Sequence, residues 1–398
     1  MITEERAMAA VATEVGRWPA TLVFFLNGLA MSTFIVLMPA LKVSLNLSDG
    51  QLGIIGMTFA VSALTAMQFV GALVSRVGTA LVLRTSLALL PLLLALVGLV
   101  DGMAGLALAA VAFGLVHGAT DAAMNAHAVA VERRLGRAIL NGCHAAWSIS
   151  AVVASLTAAT LAQAGVSVAV RAAGVSAVLL AAGLVLGRFL TPSTVDNRDA
   201  ATARTDRGWR GGWSRPIVAL GLTGMALMVF EGAALAWSAV FLHDARGLSI
   251  GLATTAVTAF TAAQAGGRLI GDRLTDRYGA RRVFRVGGCI AAGGLAVAVL
   301  AQDAVVAIGG FAIAGLGGSV LVPLVFSSVG RLAPAGAGPA TAISRLTTFT
   351  YAGVLLGPGI IGASAELVGL PATMTALVPL LLVVAVLTRL PRSERGVS

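Results

Sequence analysis

Apolar segments of roughly 20 residues, separated by short polar ones, recur from Trp18 almost to the end of the chain. Each is long enough for a helix to cross about 30 Å of hydrocarbon. The segments are continuously apolar rather than alternating, which favours helices over the strands of a barrel. The pattern predicts an all-α membrane protein with twelve transmembrane helices, at 18–40, 51–73, 80–100, 102–130, 138–163, 166–190, 215–241, 248–270, 283–301, 304–329, 340–364 and 370–390.

Composition supports this class of protein. Of 398 residues, 58% are hydrophobic and only 11% are charged, whereas a soluble domain has about 25% charged residues. The chain has two cysteines, Cys143 and Cys289, and no His/Cys cluster with zinc spacing. No nucleophile–base pair or phosphate-binding loop is present. We therefore expect no metal, no cofactor and no enzymatic activity.

The basic residues predict the orientation of the helices. With both termini placed in the cytoplasm, 24 of the 27 Lys and Arg side chains fall on the inner side, including Arg268 and Arg345 at or just inside helix ends. Only Lys42, Arg171 and Arg246 fall on the outer side. The positive-inside rule then predicts cytoplasmic tails at 1–17 and 391–398. The net charge of +10 is explained by topology and contact with anionic lipid, without nucleic acid. We expect a multi-pass monomer in the bacterial cytoplasmic membrane.

The longest polar interruption, residues 191–214, is rich in arginine and glycine. It predicts a cytoplasmic linker between two six-helix bundles, at 18–190 and 215–390.

The two predicted bundles resemble duplicated units. "FLNGLA" from Phe25 matches "VFEGAA" from Val229, which places Asn27 opposite Glu231. After the second span comes "LVSRVGTALVLR" from Leu73, and after the eighth comes "LTDRYGARRVFR" from Leu274. Such repeats are typical of secondary transporters.

The loop "GGRLIGDRLTDRYGARR", residues 266–282, resembles the loop motif of the major facilitator superfamily. Its glycines allow close helix approach and a tight turn, and its acids can pair with arginines or accept a helix N-terminal dipole. We predict a conformational latch formed by Gly271, Asp272, Arg273, Asp276, Arg277, Gly279, Arg281 and Arg282. The first-half copy is degenerate, since Ser75 stands where the second has Asp276, although Arg76, Gly78 and Arg84 remain.

Other stretches are similar to the fucose-permease-like branch and to YbjJ-type inner-membrane proteins. They are "DAAMN" from Asp121, "AVERRLGR…CHAAWS" from Ala130, "FEGAALAWSAVFL" from Phe230 and "LLGPGIIG" from Leu355. The resemblance implies the major facilitator fold, with spans 1, 4, 7 and 10 lining a central cavity. The resemblance names no solute, because two acids of these families are absent. Ile35 stands where fucose permeases have an acid in the first span, and Ala236 stands where many YbjJ-type proteins have an acid.

The fourth span contains the most informative polar stripe. His117, Asp121 and Asn125 follow one another at i, i+4 and i+8, so they share one helical face. Asp121 lies eleven residues from Glu132, about 16 Å into the membrane by helical rise. A carboxylate at that depth costs at least about 2.5–3.5 kcal/mol, so it borders a wet pathway or forms a static interhelical hydrogen bond. We predict proton coupling at Asp121 and His117, and solute binding at Asn125.

Glu231 is the second deep acid, and we predict that it binds a proton or the solute. Asn27 is predicted to join the same central site, and Trp237 to stack on a solute ring. Arg345 could bind an anionic group or extend to the cytoplasmic phosphates. His144, near the cytoplasmic end of the fifth span, is predicted to act in gating.

These features predict a secondary active transporter that moves a small polar solute by alternating access, with proton symport through Asp121 and Glu231. One alternative is a proton-linked efflux pump for an amphipathic compound. Another is a non-transporting membrane receptor or assembly partner. The expected partners are the solute, protons and the lipid bilayer.

Overall fold

The computed structural model describes residues 2–190, 213–332 and 339–391, and within these ranges every regular element is a helix. The predicted linker lies outside the described residues except for Trp213 and Ser214, and the predicted C-terminal tail lies outside them except for position 391. The helices are α1 (Ile2–Ser44), α2 (Asp49–Val77), α3 (Thr79–Val97), α4 (Met103–Leu135), α5 (Leu140–Gln163), α6 (Val168–Gly187), α7 (Arg215–Arg246), α8 (Ile250–Tyr278), α9 (Ala280–Leu300), α10 (Ala304–Gly318), α11 (Leu321–Arg331), α12 (Pro339–Val368) and α13 (Leu370–Leu387). The all-α prediction is confirmed. Because α1 begins at Ile2, it also includes most of the predicted N-terminal tail.

The described residues divide into two compact units. The first contains 2–139, 146–190, 213 and 339–347, and the second contains 140–145, 214–332 and 348–391. The units therefore differ from the predicted bundles, because the start of α5 belongs to the second unit and the start of α12 to the first.

The first unit is built around α4, which packs against α1, α2 and α3, while α6 packs against α1 and α3. Its apolar core includes Phe34, Phe59 and Phe113, whose rings lie 4.9–6.1 Å apart. Such aromatic pairs add stability beyond their buried area.

The second unit is built around α9 and α10, which pack against each other. α8 packs on α10, α13 on α9, and α7 on α8 and α13. Glycines permit these close approaches, since a Cβ at Gly294 would lie 2.4 Å from the backbone of Ala314, and one at Gly317 would lie 2.3 Å from that of Ala291. The glycine-rich sequence of these helices is therefore a packing requirement.

Two predicted spans are not straight helices. The tenth is interrupted at Ser319 and Val320, where Pro323 has no N–H to donate to the Ser319 carbonyl. α12 bends by 42° between Pro339–Gly357 and Gly359–Val368, as a proline between them allows.

Among the described residues nine helices have the length and apolar character of a membrane span, and α10 and α11 together form a tenth. The bent α12 would be an eleventh. The predicted eighth span corresponds to α8, which is outside that group. Five threonines and Gln264 in α8 lower its hydropathy. The count of twelve and the orientation therefore stay predictions.

Candidate functional site

Asn27 and His117 form the central polar contact of the first unit. The Asn27 Oδ1 lies 3.1 Å from the His117 Nδ1, joining α1 to α4, and both side chains are buried. The His117 ring also lies 5.6 Å from that of Phe59 and 6.3 Å from that of Phe113. A hydrogen bond in so apolar a setting fixes the rotamers of both side chains.

Glycine positions α4 for this contact. A Cβ at Gly118 would lie 2.3 Å from the Ala63 carbonyl oxygen on α2, and one at Gly114 would lie 2.5 Å from the Phe59 carbonyl oxygen. The helices can approach this closely only because the Cβ is absent. The backbone that holds His117 is thereby packed directly on α2.

Unsatisfied polar atoms remain on the same two helices, α1 and α4. The Asn125 amide nitrogen donates to the Asp121 carbonyl oxygen at 2.9 Å. Its Oδ1 and the Nδ2 of Asn27 are buried atoms without a hydrogen-bond partner among the described residues. The half-buried Asp121 carboxylate likewise has no hydrogen bond or ion pair there. Buried polar groups are normally satisfied, so these atoms are candidates for contacts with a ligand.

The second unit contains an ion pair between Glu231 and Arg268. The Glu231 Oε1 lies 3.6 Å from the Arg268 Nη2, and the side chains are 20% and 9% exposed. The pair joins α7 to α8. Arg268 had been counted among the charges that orient the helices, so sequence reasoning missed its contact with Glu231. The acid and the base are 37 positions apart, and no local spacing connects them.

His144 and Trp237 also lie in the second unit. The His144 ring lies 6.0 Å from that of Phe326. The Trp237 ring packs near Gly362, and its indole N–H is buried without a partner among the described residues. The indole could therefore donate to a ligand as well as pack against one.

The latch motif forms a helix cap in the second unit. The Asp272 carboxylate accepts the backbone N–H of Asn141 at 2.9 Å, that of Gly142 at 2.8 Å and the Asn141 side-chain amide at 3.0 Å. Asp272 is thus the anion at the α5 N-terminus. A Cβ at Gly271 would lie 2.7 Å from the Asn141 side chain, so glycine permits the approach. Gly279, with φ +81°, makes the tight turn after α8.

The remaining latch residues occupy the surface around that turn. Arg273, Asp276, Arg277 and Arg282 are exposed, and Arg281 is half-buried.

The matching position in the first half has no acid. When Leu73 is aligned with Leu274, Gly71 stands opposite Asp272. A Cβ at Gly71 would lie 2.8 Å from the backbone and hydroxyl of Thr341, in the first turn of α12. The contact of Gly71 with Thr341 lies within the first unit and is steric, whereas the corresponding contact of Asp272 with Asn141 is made by a charged group.

Arg345 is held by side chains of the first unit. Its Nη1 donates to the Gln68 Oε1 at 3.0 Å, and its guanidinium lies 5.0 Å from the centre of the Trp213 ring. The residue is only 2% exposed. The structure thus places Arg345 against α2 and Trp213, and it does not bring Arg345 to the Asn27–His117 contact.

The sequence profile of the Major Facilitator Superfamily matches residues 20–256 and 219–398. The chain belongs to the major facilitator superfamily. An uncharacterised MFS-type transporter of Yersinia pestis is 32% identical over 370 residues, covering 92% of this chain and 94% of that protein. The predicted membership of the major facilitator superfamily is confirmed.

Solved structures show the same fold. The human organic anion transporter MFSD10 aligns with a TM-score of 0.75 at 16% identity, covering 95% of this chain and 99% of that chain. The E. coli fucose:proton symporter FucP aligns with a TM-score of 0.74 at 15% identity, covering 96% and 99%. At this identity the likeness concerns the fold. Membership makes the chain a multi-pass membrane protein of a transporter family.

Proposed function

We propose that the protein is a secondary active transporter that moves a small polar solute by alternating access, in symport with protons. The observation that supports this most directly is the set of unsatisfied polar atoms on α1 and α4 of the first unit, namely Asn27 Nδ2, Asn125 Oδ1 and the Asp121 carboxylate. A solute with hydroxyl or amide groups would satisfy the two amides, one as donor and one as acceptor.

Asp121 is the better candidate for the coupling acid. Its charge has no cationic partner among the described residues, so a proton or a solute would neutralise it. The Glu231 carboxylate already lies 3.6 Å from the Arg268 guanidinium. Protonating Glu231 would remove a negative charge that faces a buried guanidinium, which is costly. Glu231 therefore serves better to hold α7 and α8 or to bind the solute together with Arg268.

His117 orients the site in this proposal. If the Asn27 oxygen accepts from Nδ1, the proton sits on Nδ1, and Nε2 is left as a proton acceptor. An imidazole one turn from Asp121 could then relay a proton to it. The Asp272 cap on α5 would break and form again as the transporter changes state.

The experiment uses proteoliposomes loaded with a pH-sensitive dye, to which candidate solutes are added one at a time. Symport predicts that an inward solute gradient acidifies the lumen, and that Asp121→Asn abolishes this proton movement. The matched control is Asp244→Asn, which removes an exposed acid at the end of α7. Luminal alkalinisation would instead favour proton-linked efflux, and unchanged proton flux in Asp121→Asn would remove Asp121 from the mechanism.

A further inference from the structure

A long apolar groove runs along the second unit between α8, α9 and α10. Its volume is about 480 Å³. On α8 it is lined by Gly267, Ile270, Leu274 and Tyr278, which recur every three or four residues and so form one helical stripe. Many of its apolar side chains are exposed, including Ile270 at 46% and Val286 at 51%.

The length of the groove matches one leaflet of a bilayer. Gly267 and Tyr278 are eleven residues apart, or about 16 Å along the helix axis. Half of a hydrocarbon core of about 30 Å is about 15 Å. One extended acyl chain would therefore lie along the groove from the leaflet surface towards the midplane.

One end of the groove is basic. The Arg277 and Arg282 guanidinium carbons lie 5.3 Å and 5.9 Å from the centre of the Tyr278 ring, so the ring holds two cations at the mouth. Arg282 lines the groove and has no ion pair among the described residues. The segment 273–285 contains five arginines and one acid, Asp276. This end belongs to a loop that the positive-inside rule predicts to be cytoplasmic.

We propose that this groove is a binding site for one anionic phospholipid of the cytoplasmic leaflet. The acyl chain lies against Ile270, Val286 and Ile290, and Arg282 binds the phosphate beside Tyr278. A basic pocket between membrane helices on the cytoplasmic side is the chemistry that recognises an anionic headgroup. The site uses a face of the second unit that does not include Asn27, Asp121 or Glu231.

The experiment is native mass spectrometry of the delipidated full chain in detergent, titrated with phosphatidylglycerol or phosphatidylethanolamine of equal chain length. We expect the first phosphatidylglycerol to bind more tightly than phosphatidylethanolamine. Arg282→Gln should weaken it about fivefold, as removal of one surface arginine implies. The matched control, Arg188→Gln, removes an exposed arginine of the first unit and should change the affinity less than twofold.

Two further variants test the acyl-chain contact. Val286→Trp and Ile290→Trp should each fill the groove and lower phosphatidylglycerol occupancy, while Val297→Trp, at a 40% exposed position of α9 outside the groove, should leave it unchanged. Equal binding of the two lipids, or equal effects of Arg282→Gln and Arg188→Gln, would overturn the headgroup assignment. Unchanged occupancy in both tryptophan variants would overturn the groove assignment.

Discussion

The Arg268 guanidinium lies 3.6 Å from the Glu231 carboxylate, and neither side chain is more than 20% exposed. The two charges therefore help to compensate each other. Glu231→Gln should lower the free energy of unfolding by about 3 kcal/mol, the lower end for a buried pair, because Glu231 keeps some exposure. Arg268→Gln should also destabilise the protein, because it leaves the Glu231 carboxylate facing a neutral amide.

Unfolding in sodium dodecyl sulfate, followed by circular dichroism, measures these differences. The double variant should recover most of the loss of Glu231→Gln. Purely additive losses would show that the two side chains do not stabilise each other.

Asp272→Asn should loosen the start of α5. The carboxylate accepts three hydrogen bonds there, two of them from backbone N–H groups. Loss of its charge should cost about 1.5–3 kcal/mol locally, which corresponds to at least tenfold faster hydrogen exchange at the Asn141 and Gly142 amides. Asp276→Asn, which changes an exposed acid one turn away, should leave that exchange as it is. Equal exchange in the two variants would argue against the cap.

Gly118→Ala should destabilise the first unit. Its new Cβ would lie 2.3 Å from the Ala63 carbonyl oxygen, so α4 must move away from α2. We expect a loss of about 1–3 kcal/mol and weaker transport, because His117 and Asp121 move with the helix. Gly56→Ala on α2 meets no atom within 4 Å and should be neutral or slightly stabilising. A thermal-shift assay in detergent compares them, and equal melting temperatures would contradict the close-packing argument.

Trp237→Phe tests whether the unpartnered indole N–H binds the solute. The variant keeps an aromatic ring and breaks no hydrogen bond seen among the described residues, so stability should change little. If the N–H donates to the solute, KM should rise about two- to tenfold, as loss of one hydrogen bond implies. Trp18→Phe, at a 61% exposed position, is the control. The same KM in both variants would exclude the indole as a donor.

The fold could largely be predicted from the sequence, because apolar length alone determines where a helix can span hydrocarbon. The interruption at Ser319 is missing from the predicted spans, although its cause, the missing N–H of Pro323 one turn later, can be read in the sequence. The shift of α5's first turn into the second unit could not be predicted. It follows from the contact of Asp272 with Asn141, residues 131 positions apart.

The candidate site could be predicted residue by residue, but its pairs could not. Periodicity placed His117, Asp121 and Asn125 on one face. It gave no partner for His117, which the structure pairs with Asn27, 90 positions away. Arg268 shows the limit most clearly, because a basic residue near a helix end fits the topology rule equally well whether it faces lipid phosphates or a buried acid.

The difference between Gly71 and Asp272 makes the two junctions of the duplicated scaffold unequal. Hydrogen bonds are directional, so the Asp272 carboxylate sets the orientation of the α5 start at Asn141 and Gly142. The contact of Gly71 with Thr341 limits only how closely the two helices approach. A protein built from two similar halves would thus control the direction of a helix at one junction and only its distance at the other.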